Sequence, residues 1–336
     1  MTVLCGNGAR RLSVFLAAAA AVGALMAVVP SADARPGLPP PEPVDLYDMV
    51  RRDLGILPDT GYTPPGEGAR AALRTGLDRV AARDWQAADD ALHPHGYSGT
   101  AQSDVPSGAL FGRVFPLDHP NAGWGAAYIM GRGTSVAIHV PHPVCEPGVE
   151  RMGVEVARGV KDSVLVVAGA KRFAGGPEAG CSHPGKEPLP ADCAAASDPW
   201  VCDETVFHTW SEYLRGRSMP AVSLVGLSTD RAVADVEVDV PEASDSSFGE
   251  AIAVSAEQAG FTVCRSWTDT CPGADEGRWS RQALAYGAAA AAGAARADRT
   301  ARTAFAAVQV RQSVLDNAEE IVLMAKAVAA AVAARH

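Results

Sequence analysis

The sequence predicts an α/β protein. The expected architecture is a three-layer α/β/α arrangement with a mixed, mostly parallel sheet, preceded by a small N-terminal helical unit. Three observations predict it. From about Phe111 onward, short β-branched or aromatic runs alternate with stripes of helical period, the pattern of strands joined by helical crossovers. The run 164–168 (VLVVA) is apolar at every position, as in a strand covered on both faces. Before residue 100 the clear periodicity is helical, with Leu73, Leu77, Val80, Ala81, Trp85, Ala88 and Leu92 on one stripe.

Four segments follow: a signal peptide (1–34), a Pro-rich linker (35–43), the helical unit (44–100) and the α/β domain (101–336). Arg10 and Arg11 precede the apolar, Ala-rich stretch 12–29, and Ala32-Asp33-Ala34 offers small residues where a signal peptidase reads. Cleavage is expected after Ala34. At about 18 residues the apolar stretch is also near bilayer-spanning length, so an uncleaved anchor is the competing reading. No later charge-free run is long enough to span, so the mature chain is expected to be secreted, or extracytoplasmic, without a membrane span. The linker, RPGLPPPEP, is too Pro-rich for regular structure.

Within 44–57 a short helix is expected on Leu46, Met49, Val50 and Leu54. The stretch 68–92 reads as one long helix or a helical pair, ended by Pro94. Strands are expected at 126–130 and 136–140, paired as a hairpin around Gly131 to Gly133. A helix over 149–160 leads to the apolar strand 164–168. A long Gly- and Pro-rich loop, 170–199, follows. Asp203 is placed to N-cap a helix running to Leu214. Strands are then expected at 221–227, 235–240, 261–264 and 305–311, with helices at 248–259, 280–299 and 314–334. A division into two α/β lobes near Ser228 is the alternative architecture.

Composition excludes some functions. The net charge is -10 and there is no basic run, so nucleic acid is not an expected partner. Removing Cys5 with the signal leaves an even number of cysteines, as in a disulfide-bearing exported chain. Cys264 and Cys271 flank a short polar loop and are the expected pair. Cys181, Cys193 and Cys202 share one long stretch; a zinc cluster of Cys181, His183 and Cys193 lacks paired CxxC spacing. There is no GxSxG elbow, no GxGxxG after a first strand and no phosphate-binding P-loop.

The chemistry-bearing stretch is 135–172. His142 and Glu146 lie on a Pro-stiffened turn after the strand 136–140, at the carboxyl end where open α/β sheets keep their sites. An imidazole and a carboxylate are zinc-competent. Alternatively, Glu146 serves the dipole of the following helix and His142 is an ordinary loop side chain. His139 falls on the face of Ala137, opposite Ile138, and reads as a buried, hydrogen-bonded histidine. Lys171 and Arg172 follow the next strand and are candidates to hold a substrate carboxylate or phosphate. Asp192 and Asp203 are candidate general bases. His208 shares a helical polar face with Glu204 and Glu212 and reads as exposed and structural.

The segment HVPHPVCEPGVERMGVEVA, with the later strand LVVAGAKR, resembles a group of secreted bacterial proteins of unassigned substrate. That group is similar to the zinc carboxypeptidase and amidohydrolase group that includes poly-gamma-glutamate hydrolase and N-formylglutamate amidohydrolase. The resemblance covers roughly 123–227. It implies a zinc-activated water attacking an amide, with His142 and Glu146 as the first two metal ligands. It also implies a third histidine at the end of AVSLVGL, where this chain has Val225, and a glutamate near the last strand, where it has Gln309 and Arg311. The expected function is an exported metallohydrolase-like protein acting on an amide-type bond in an acidic small molecule or cell-envelope substrate. The alternative is a catalytically degenerate member that binds an extracellular ligand or partner.

Overall fold

The computed structural model describes residues 42–55, 62–117, 123–143, 145–170, 174, 205–228, 232–241, 246–271, 280, 282–283, 285–288 and 304–335. They build a ten-stranded sheet in the order β1-β2-β3-β4-β6-β5-β7-β10-β8-β9. Five of the nine neighbouring pairs are parallel, including the whole central block β6-β5-β7-β10.

The chain enters through β1 (Pro43–Val44) and α1 (Leu46–Leu54). Asp45 caps α1, its carboxylate accepting from the N–H groups of Tyr47 and Asp48. Leu46, Met49, Val50 and Leu54 form the buried stripe, and Gly55 stops the helix at positive φ. The stripe from Leu73 to Leu92 divides into α2 (Glu67–Ala81) and α3 (Trp85–Leu92). The break is at Arg83, which adopts a left-handed φ of 59°, and Asp84 N–H turns back to Arg79 O. Gly76 lets the two helices meet: a Cβ there would lie 2.5 Å from Leu92 Cδ2.

β2 (Tyr97–Asp104) and β3 (Leu110–Pro116) form an antiparallel hairpin, Tyr97↔Pro116 through Ser103↔Leu110. The expectation did not include β2, because YSGTAQSD has one aromatic and one β-branched residue and no apolar alternation. β4 (Ala126–Met130) and β5 (Ala137–Val140) are where they were expected, but they do not pair with each other. β6 (Val164–Val167) lies between them, antiparallel to β4 and parallel to β5. An all-apolar strand has no solvated edge or face, so it takes a partner on each side. The glycine turn folds back instead onto Asp162, whose carboxylate accepts from Arg132 N–H at 2.7 Å.

α4 (Val149–Gly159) connects β5 to β6. Beyond β6, α5 (Val206–Gly216) is capped by Thr205, whose hydroxyl accepts from His208 N–H; this corrects the expected cap at Asp203. β7 (Ala221–Leu227), β8 (Val236–Asp239), α6 (Ser247–Gln258), β9 (Val263–Arg265) and β10 (Phe305–Arg311) follow. The final helix, expected as one piece, is two: α7 (Gln312–Leu315) and α8 (Ala318–Ala333). Asn317 interrupts them by capping α8. The Cys264–Cys271 disulfide forms as expected, with Cα atoms 5.9 Å apart.

Both faces of the sheet are covered. Ile138, Val140, Leu165, Val222, Leu224 and Val308 pack with α1, α4, α6 and α8. Ala137, Val164, Val166, Ala221 and Ala307 pack with α2, α3 and α5. Residues 44–100 thus supply helices to both outer layers and β1 and β2 to the sheet edge. Among the described residues no helix is long and apolar enough to cross a membrane.

One charged cluster ties α1 to the sheet. Arg113 of β3 grips the Asp53 carboxylate with Nε and Nη2, Tyr128 donates to the same carboxylate at 2.6 Å, and the guanidinium lies over the Phe115 ring. Burial pushes the Asp53 carboxyl upward while Arg113 and Tyr128 oppose the shift. Removing one partner of such a pair leaves the other charge buried and uncompensated. Asp53→Ala should therefore cost about 3–5 kcal/mol in urea unfolding. Arg79→Ala, which breaks an exposed pair with Asp84, should stay within about 0.5 kcal/mol.

Candidate functional site

β5 ends at Val140 and the chain turns through Pro141, His142 and Pro143 before α4 begins at Val149. The turn closes on itself: Glu146 N–H donates to His142 O, and Gly148 takes a left-handed φ of 95° against Leu315. His142 and Glu146 are brought together as expected. His142 Nδ1 and Glu146 Oε1 lie 2.9 Å apart. The other carboxylate oxygen, Oε2, accepts from Gly226 N–H of β7 at 2.7 Å. Gly226 makes this reach possible, since a Cβ there would stand 2.9 Å from Glu146 Cβ. The pair sits at the carboxyl ends of β5 and β7, with the imidazole buried and the carboxylate partly exposed. Glu146 spends both oxygens on this bracket rather than on the N–H groups that open α4.

Two atoms 2.9 Å apart are close to the separation of about 3.3 Å that two ligands of a tetrahedral zinc adopt with bonds of 2.0–2.1 Å. Such a site takes about three protein donors. At the implied third position Val225 is buried, with 4% exposure, and offers no donor. Arg311 is engaged with Asp235 Oδ1 at 3.4 Å and Ala232 O at 3.1 Å, and Gln309 is buried. Among the described residues, the three-membered group with ligand atoms close enough to share an ion is Cys264, Asp269 and Cys271, and its sulfurs are consumed by the disulfide. The described donors at the turn therefore do not by themselves fit a zinc ion. Lys171, Arg172, Asp192 and Asp203 lie outside the described residues, as do Cys181, His183, Cys193 and Cys202. Cys145, within the turn, is an exposed free thiol.

His139 is buried, as expected, but it is not hydrogen-bonded: neither ring nitrogen has a protein partner among the described residues. Its ring meets Phe207 of α5 edge-on at 5.3 Å. Burial, and then the nearby His208, pushes its pKa down from 6.5 to about 3. His208 is partly buried rather than exposed, and its Nδ1 lies 3.3 Å from Gln282 Nε2. The sequence reading also missed Ser223, Glu237 and Asp239, all buried, and did not anticipate the burial of Gln309. Their signal was present as alternation: a polar residue at every second position in VEVD and at the end of FAAVQVR, and a single polar residue in AVSLVGL. Alternation of that kind reads as a solvated face.

No protein-family model matches the sequence, and no curated protein matches it. Solved structures do. N-formylglutamate amidohydrolase from Ralstonia eutropha JMP134 aligns with a TM-score of 0.36 and 11% identity, covering 61% of this chain and 96% of that one. Bacteriophage poly-gamma-glutamate hydrolase aligns with a TM-score of 0.38 and 12% identity, over 62% and 88%. The gene product Atu2144 from Agrobacterium tumefaciens aligns with a TM-score of 0.38 and 15% identity, over 70% and 98%. The first two belong to the group that the HVPHPVCE segment resembles.

The unfolded chain binds a proton at His139 near pH 6.5, whereas the folded chain resists it down to about pH 3. Stability from this group is therefore complete above pH 6.5 and declines as the pH falls toward 3. The expected slope is about 1.4 kcal/mol per pH unit from this residue alone. Urea titrations from pH 7 to pH 4 should show it as the difference between wild type and His139→Phe. Parallel pH profiles for the two proteins would refute the assignment.

Proposed function

We propose that this chain is an exported protein with a hydrolase-like fold that binds an acidic small molecule or cell-envelope component at the carboxyl ends of β5 and β7 without cleaving it. One observation carries the reading: Val225 stands, buried, where the resemblance implies the third metal ligand. An isopropyl group donates no electron pair, and two donors hold an ion and activate water poorly. The position implied for a catalytic glutamate is treated the same way, since neither Gln309 nor Arg311 carries a carboxylate.

The turn is a rigid wall for such a ligand. Glu146 links His142 to the β7 backbone, so the imidazole and the strand end hold one geometry without a ligand. Lys171 or Arg172, four and five residues beyond the end of β6 in sequence, would supply the anion contact, in bidentate form for arginine. Export rests on the signal-like segment 1–34 and is consistent with the Cys264–Cys271 disulfide.

A specific observation favours a second reading. The convergence of His142 Nδ1 and Glu146 Oε1 suits a zinc-dependent amide hydrolase, provided a third donor such as Asp192 or Asp203 completes the set. Elemental analysis of the mature chain, secreted from cells in zinc-replete medium, separates the two. The binding reading expects no stoichiometric zinc, and wild type and His142→Ala alike in metal content. Stoichiometric zinc in wild type, lost in a folded His142→Ala protein, would return the chain to the hydrolase reading.

A further inference from the structure

The loop that leaves β9 gathers two sulfurs and a carboxylate. Cys264, Asp269 and Cys271 each place a ligand atom within 4.8 Å of the other two. The Cα atoms of the two cysteines are 5.9 Å apart, so both side chains reach a common point between them. Zinc bonds of about 2.3 Å to sulfur and about 2.0 Å to oxygen set tetrahedral donors roughly 3.5–3.8 Å apart. Three protein donors with an open position form a set that this metal takes, and here the three stand together. Both cysteines are nearly buried, at 7% exposure, while Asp269 is exposed, which gives an ion an entry path on the carboxylate side.

The loop has ties of its own besides the disulfide. Thr268 N–H and Asp269 N–H both donate to Arg265 O, and Ser266 N–H donates to Val238 O of β8. Asp269 Oδ2 accepts from Arg265 N–H at 3.0 Å, which orients the carboxylate and leaves Oδ1 for a ligand. Cys264 is held by the sheet as the register partner of Glu237. A crosslink between residues seven apart removes little chain entropy, so the fold does not lean on it. The Arg265 guanidinium is paired with Glu250 and Glu257 of α6, so its charge is already neutralised.

We propose that the Cys264–Cys271 disulfide masks a metal site: once an external dithiol reduces it, both thiolates and Asp269 bind one thiophilic divalent cation such as zinc. The dithiol passes two electrons and two protons to the disulfide and leaves as a disulfide itself. The cation then displaces the two thiol protons, and water takes the fourth position. Thiolate donors select zinc or cadmium over magnesium or calcium. In the oxidised chain the sulfurs are bonded to each other and carry no charge to hold an ion, so an oxidising compartment keeps the site masked. β9 is four strand spacings from β5, about 19 Å. Because β8 and β9 run antiparallel to β10, the loop also emerges at the end of the sheet opposite the His142–Glu146 turn. The site is independent of that turn and of the function proposed for it.

The test is an anaerobic titration of the secreted chain with cadmium, read by ultraviolet thiolate-to-metal absorption. A phosphine serves as reductant because, unlike a dithiol, it leaves the cadmium to the protein. The other cysteines are present in every sample, so the signal of interest is a difference between proteins. Reduced wild type should bind one cadmium per chain more than the reduced double variant Cys264→Ser, Cys271→Ser, and one more than oxidised wild type. Asp269→Asn keeps both thiols and an oxygen for Arg265 N–H, so it serves should the double variant fail to fold by circular dichroism. It should weaken that one equivalent at least tenfold in competition with a chelator. The proposal is overturned if a folded double variant takes up as much cadmium as wild type, or if uptake is the same before and after reduction. Unchanged affinity in Asp269→Asn also overturns it.

Discussion

The structure turns on β6. Three valines and a leucine in succession leave that strand no edge or face that water can occupy, so it pairs on both sides. Inserting it between β4 and β5 separates two strands that are near neighbours in sequence and moves β5 inward, with β7 on its other edge. The turn after β5 then opens beside the end of β7 rather than at the margin of the sheet. His142 and Glu146 meet Gly226 there because β6 has taken the place a hairpin partner would have held.

The same displacement explains the contrast between the two sides of β5. Toward α1, α4, α6 and α8 the central strands present Ile138, Val140, Val222, Leu224 and Val308, an apolar surface with high contact area and no polar demand. Toward α5 they present His139, Ser223 and Gln309 among valines and alanines. Buried polar groups of this kind add nothing to hydrophobic stability and cost free energy when unmet.

Charge is used economically elsewhere. Arg113 with Asp53, and Arg158 with Asp104, Asp45 and Glu155, fasten α1 and α4 to the strands near the β1 edge of the sheet. The Glu146 carboxylate does comparable mechanical work at the opposite end of α4, joining the turn to β7. That role accounts for its presence without any metal, and it leaves His142 oriented by a carboxylate, a favourable arrangement for an imidazole that contacts a ligand.

Much was legible in the sequence, for local reasons. Helical stripes located α1 and α4 because side-chain periodicity is a property of the segment alone. Apolar runs located β5, β6, β7 and β10. The short loop between Cys264 and Cys271 identified their disulfide, and the Pro-stiffened spacing of His142 and Glu146 brought them to one turn. Strand order was not legible, since hydrogen-bond partners several segments apart leave no trace in either strand. β2 escaped because its place is secured by pairing with β3 rather than by its own composition. The burial of Ser223, Glu237 and Gln309 also came from the tertiary structure alone: alternation states which residues share a side, and only the helices laid over that side decide whether it faces water.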